Sequence, residues 1–100
     1  MDDKLIIGIW ETREVTIDGV PLRIEASQQV HNHSDTFCWG YGGSGPAQLA
    51  LAILMLYLPS DQAALRHQDF KWKVISGLPQ KDFQIPVSSV TDWIARMPNA

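Results

Sequence analysis

The chain has a single cysteine, Cys38, among its 100 residues, so no intrachain disulfide can form and a reducing compartment is its expected setting. It has no apolar run suited to a membrane, because the longest, Leu49 to Leu58, falls well short of the ~20 residues a spanning helix needs. The amino terminus opens on Asp2 and Asp3 and is too short in apolar residues for a signal peptide, so a cytoplasmic location is expected. Positive charge is not in excess either. Eight Lys and Arg stand against eleven Asp and Glu, a formal net charge of −3, which argues against general nucleic-acid binding through a basic surface. Internal repeats, low-complexity tracts and linkers are absent. What is present is the composition of a globular protein, 45% hydrophobic and 19% charged, read as one domain over residues 1–100.

The pattern of residues implies an α+β fold, a small antiparallel amino-terminal sheet packed on a buried central helix with two further helices. Leu5 to Trp10 reads as a strand. Val15–Ile17 and Val20–Ile24 flank Asp18-Gly19, a favoured hairpin turn. Pro21 lacks a ladder donor and marks its arm as an edge. Residues 26–36 are polar and read as a loop, with Phe37–Trp39 a short extended piece. A helix capped by Ser44 or Gly45, with Pro46 in its first turn, runs to about Leu58, where Pro59 stops it. Because it is apolar on nearly every side, it must be covered all round. Ser60-Asp61 restarts a helix whose face carries Ala63, His67, Phe70 and Val74, closed by Gly77. Phe83–Ile85 reads as a last short strand. Ser88 or Ser89 caps a final helix bearing Val90, Trp93, Ile94 and Met97 at helical spacing.

The central phrase, Phe37-Cys38-Trp39-Gly40-Tyr41-Gly42-Gly43-Ser44-Gly45-Pro46-Ala47-Gln48-Leu49-Ala50-Leu51-Ala52-Ile53-Leu54, resembles the pattern F-x-W-G-Y-x-G-S-G-P-A-Q-L-A-L-A-x-L of a bacterial and phage family of unknown function. Ile17–Leu22, Gln68–Val74 with Leu78-Pro79, and Asp92-Trp93-Ile94 extend the likeness over nearly the whole chain, most weakly across Ala26–Asp35. The resemblance implies a phage, plasmid or bacterial setting and no activity.

Two named phosphate-binding motifs fail at the glycine loop. Gly40-x-Gly42-x-x-Gly45 has the letters of a dinucleotide fingerprint, but a second helix follows where a parallel strand should. Gly40 and Gly45 stand at P-loop spacing, yet Pro46-Ala47 replaces the Lys-Ser/Thr pair. The underlying physics remains, since free N–H groups and the helix dipole attract an anion at any helix start. The candidate ligand-binding set is therefore Trp39, Gly40, Tyr41, Gly42, Gly43, Ser44, Gly45, Ala47 and Gln48, with Arg66 and Lys71 adding charge. Trp39 and Tyr41 supply rings for a nucleotide-like ligand. The structural alternative is that small residues let a buried helix enter beneath packed aromatics. Likewise, Arg66 and Lys71 read equally as a solvated helix face.

No catalytic constellation emerges. His31, His33, Asp35 and Cys38 match no standard metal module. Cys38 reads as an inert thiol beside Phe37 and Trp39, and Ser44 lies outside a nucleophile elbow. No cofactor or metal is expected. The leading expectation is a non-catalytic module holding an anionic, nucleotide-derived small molecule, which in a phage setting would sequester a signalling nucleotide. The runner-up is an interaction or inhibitor protein engaging a host protein, and a small hydrolase comes third. Self-association is left open.

Overall fold

Asp18 and Gly19 take positive φ, 54° and 77°, the pair of left-handed residues that a two-residue hairpin turn requires. In the computed structural model, which describes residues 3–96, this hairpin joins β2 (Glu14–Ile17) to β3 (Val20–Pro21). With β1 (Leu5–Ile9) and β4 (Phe83–Pro86) it forms an antiparallel sheet in the order β3-β2-β1-β4. Pro21 lies on an edge strand, where its missing N–H costs nothing. That strand is two residues long, so Leu22 and Ile24 lie beyond it, although the Leu22 amide still donates to the Val15 carbonyl at 2.8 Å.

Register places the core. Ile6 faces Ile17 on one side and Ile85 on the other, and Gly8 faces Val15 and Phe83. Ile6, Val15 and Phe83 are buried. Gly8 is glycine because a Cβ there would lie 2.2 Å from the Phe83 ring and 2.9 Å from that of Trp39. These two rings meet edge-on at 4.8 Å, and Trp10 meets Trp39 at 5.7 Å.

The helices are α1 (Glu25–Val30), α2 (Ser44–Leu54), α3 (Ser60–Phe70) and α4 (Val87–Arg96), with a π-helical turn over Lys71–Ile75 continuing α3. Every residue of α2 from Gly45 to Leu54 is buried, as its all-round apolar character demands. It packs against α1, α3 and the π turn. Phe70 and Trp93, in edge contact at 4.9 Å, bring α4 into the same core.

Several boundaries differ from the sequence expectation. The polar 26–36 stretch contains α1, whose Ser27 hydroxyl donates to the Ile24 carbonyl at 2.7 Å. Gln, Ala and Glu are competent helix formers, and local bonding outweighed the polar composition. Phe37–Trp39 is irregular, without strand pairing. Helix α2 ends at Leu54, and Met55–Leu58 form a tightened turn with bonds to the Leu51, Ile53 and Leu54 carbonyls, because the residue before Pro59 is pushed out of helical backbone. None of the expected serine caps operates. Gly43 and Pro59 occupy the cap positions of α2 and α3, with Ser44 and Ser60 inside the helices and no side-chain cap bond at either. Helix α4 begins at Val87, and the Asp3 carboxylate takes the Ser88 amide and hydroxyl. Met97 lies outside the described residues.

Candidate functional site

The loop that opens α2 is seated by aromatic rings on glycines. Trp39 is fully buried and its indole N–H donates to the Lys81 carbonyl at 2.8 Å. Gly40 has φ +83°, a left-handed conformation, while its amide donates to the Ile75 carbonyl and its carbonyl accepts from the Gln80 side-chain Nε2, both at 3.1 Å. The chain thereby turns back out of the core. Tyr41 then lies over Gly43, where a Cβ would come within 2.4 Å of its ring. Trp72, from the π turn, lies over Gly42, where a Cβ would come within 2.2 Å of the indole. Gly45 packs on Cys38, 2.6 Å from Cβ to Cβ if a side chain were added. Each of these glycines thus has a packing partner.

Two of the covering rings face solvent. Tyr41 is 45% and Trp72 61% exposed. Partial burial, and then the Cys38 thiol, push the Tyr41 hydroxyl above its ordinary pKa. The Lys71 ammonium lies beneath, donating to the Gly42 carbonyl at 3.1 Å and standing 4.4 Å from the centre of the Trp72 ring. The Ala47 amide donates to the Gly43 carbonyl at 3.1 Å, closing the first turn of α2. Among the described residues no acceptor meets the Ser44 and Gly45 amides, which is the expected state of a helix start without a side-chain cap.

Gln48 does not join this face. Gln48 is fully buried and all its bonds point to neighbouring segments. Its Oε1 accepts from the His33 and Ser34 amides at 2.6 and 3.1 Å, and its Nε2 donates to the Ser27 hydroxyl and the His31 carbonyl at 2.9 and 3.1 Å. It clamps the 31–34 segment and α1 to the central helix. Arg66 is buried along α3, with Nε 3.5 Å from the Gln62 side-chain oxygen.

The three histidines converge. His31 stacks on His33 with ring centres 4.0 Å apart, and His33 Nε2 is 2.9 Å from His67 Nε2. Burial, with nearby cations secondary, pushes the pKa of His33 below its ordinary value, and burial does the same for His67. Sequence spacing grouped His31 and His33 with Asp35 and Cys38, and did not bring in His67. His67 sits on the apolar face of α3, where helical periodicity marks it as core but gives no partner. Trp72 went unrecognised for a similar reason, since its place over Gly42 depends on how the π turn packs.

Chemistry at Cys38 and Ser44 has little support around it. Cys38 accepts from Arg13 Nε at 3.4 Å, while the Arg13 guanidinium rests 3.6 Å from the Trp10 ring centre. Among the described contacts neither Cys38 nor Ser44 has a histidine or carboxylate partner. No group of three or more His, Cys, Asp or Glu among the described residues is arranged to hold a metal ion. Two surface cavities, of about 330 and 450 Å³, lie beside the β2–β3 hairpin and between the π turn and α4, and residues 39–48 line neither. No helix among the described residues is long and apolar enough to cross a membrane.

The model of a family described as being of unknown function, DUF6166, matches residues 10–96, which leaves β1 ahead of the matched region. No curated protein and no solved structure matches the chain.

Proposed function

From the premise that the chain belongs to the DUF6166 family of unknown function, we propose that it is a non-catalytic binding module working in the cytoplasm, with Tyr41 and Trp72 as its recognition face. The observation that carries this reading is the placement of two large, exposed aromatic rings directly on the backbone of Gly42 and Gly43. A ring held against glycine has its position fixed beforehand, so little side-chain freedom is lost on binding. Aromatic anchors of this kind dominate the energetics of protein interfaces. Small-molecule sites, in contrast, are concave and enclose most of their ligand, whereas both rings of this face stand open to solvent, Tyr41 at 45% and Trp72 at 61% exposed. A protein partner is therefore favoured over an enclosed small ligand. The likeness of the central phrase to phage and bacterial proteins makes a host protein the partner class.

A second reading rests on the Ser44 and Gly45 amides, which lack a protein acceptor among the described residues. With the Lys71 ammonium close by, they would receive the negative group of a nucleotide-like ligand whose ring stacks on Tyr41 or Trp72. One pair of variants separates the readings. Trp72→Ala and Gly42→Ala should each abolish capture of a host protein by the immobilised chain while leaving its circular dichroism unchanged. Calorimetric titration with mono-, di- and cyclic nucleotides should give no heat under the first reading, and micromolar binding lost in the same variants under the second. Capture of the same partner by wild type and both variants, with no nucleotide response, would overturn both.

A further inference from the structure

All three histidines of the chain meet at the join between the 31–34 segment and α3, and the bonding of His33 and His67 fixes their proton positions. His67 Nδ1 is 2.6 Å from the Ala64 carbonyl. A carbonyl can only accept, so Nδ1 carries the hydrogen and, in the neutral ring, Nε2 is bare. The 2.9 Å contact between His67 Nε2 and His33 Nε2 therefore requires that His33 donate through Nε2–H. The Gln68 side-chain amide, 3.5 Å from His67 Nε2, lies on the same acceptor.

The arrangement tolerates only limited protonation. A proton on His33 Nδ1 leaves the bond intact and strengthens it, because a cationic donor then faces a neutral acceptor. One proton on the pair is accommodated in either direction, since a neutral His33 can carry its hydrogen on Nδ1 and accept from His67; a second proton leaves N–H on both Nε2 atoms and sets two donors against each other at hydrogen-bond distance. The charges acting on these rings are all of one sign. His31, His67 and Lys71 act on His33, and His31 and Lys71 act on His67, while no carboxylate among the described residues acts on either. Two imidazole nitrogens without a third donor also do not make a metal centre.

We propose that the His33–His67 pair is an acid-released latch, which holds the 31–34 segment on α3 while the pair carries no more than one extra proton and frees it once both rings are protonated. The released segment is the one whose amides, at His33 and Ser34, are bonded to Gln48 inside the core. Acidification therefore loosens the polar seam between α1 and α2.

The sign follows from linkage. Both rings titrate below the ordinary histidine value when folded, so the unfolded or released chain binds protons more readily. The hold is intact above about pH 6.5 and is lost, as the second proton binds, while pH falls below that value toward the lowered folded pKa values. Nitrogen-15 spectra of the imidazoles at pH 7.5 should show His67 as the Nδ1–H tautomer and His33 as the Nε2–H tautomer. Amide hydrogen exchange from pH 7 to 5 should show the protection factors of His33 and Ser34 falling about tenfold in the wild type. In His67→Gln, which cannot take up the proton, they should change less than about twofold. Equal loss of protection in both proteins would overturn the latch, as would pH-independent protection in the wild type. If His67→Gln fails to fold, the wild-type tautomers decide, and His67 found as the Nε2–H form would end the proposal.

Discussion

Two stretches of chain approach the amino end of α2, and they are held in opposite ways. The 31–34 segment is fastened by polar bonds, three of which end on the side-chain amide of Gln48, with a histidine pair closing the outer side. The 40–45 loop is fastened mostly by shape, with rings or a cysteine side chain resting on Gly42, Gly43 and Gly45. The first kind of attachment is directional and responds to protons. The second depends on the absence of a Cβ and is indifferent to pH. The difference shows that one helix start can be secured by a single polar side chain on one flank and by missing side chains on the other.

The largest expected effect breaks the polar side. Gln48→Leu keeps the volume but leaves two amides, a hydroxyl and a carbonyl without their partner. At about 1–3 kcal/mol for each group that water cannot reach, the loss should total roughly 3 kcal/mol, read as a lowered urea midpoint at unchanged slope. A midpoint equal to that of the wild type would mean that the clamp is dispensable.

The next tests the seats by shape. Gly45→Ala brings a Cβ within 2.6 Å of the Cys38 Cβ and 3.2 Å of the Cys38 amide nitrogen, a neighbour that moves only with its backbone. Alanine is the better helix former by about 1 kcal/mol, so a net destabilisation of about 2 kcal/mol is needed to show that overpacking prevails. A stabilised variant would refute the close seat.

A smaller effect distinguishes the two flanks directly. Lowering the pH from 7 to 5 should reduce stability in the wild type through the histidines, whose folded pKa values are depressed. The double variant His33→Asn, His67→Gln should lose less over the same range. Identical pH profiles would assign the acid sensitivity elsewhere.

The smallest effect on stability falls at Gly42. A Cβ there would push the exposed indole of Trp72 off its seat without moving backbone, so Gly42→Ala should cost under about 1 kcal/mol. The Trp72 indole N–H resonance should nevertheless move, and partner capture should fail. An unmoved resonance would show that the ring does not depend on the glycine.

Much of this fold was legible along the chain. Asp18-Gly19 fixed a turn, Pro21 an edge strand, and the unbroken apolar run after Pro46 a helix buried on all sides. Helix α1 was obscured because its stabilising contacts, Ser27 to Ile24 and to Gln48, leave no apolar stripe in so short a segment. Of the candidate site residues, Tyr41 to Gly45 and Lys71 do share one face, whereas Gln48 turned inward. A lone glutamine in an apolar helix signals an obligatory partner, but nothing local says whether that partner is a ligand or the protein's own backbone.

By itself the sequence determined which segments had to be buried and where the chain had to turn. These follow from hydrophobic spacing and backbone sterics, which act over a few residues. Only the tertiary structure decided that His67 meets His33, that Trp72 covers Gly42, and that Gln48 binds the 31–34 segment. Such pairings join residues far apart in the chain, and they are selected by the packing of whole elements, for which no local pattern is a substitute.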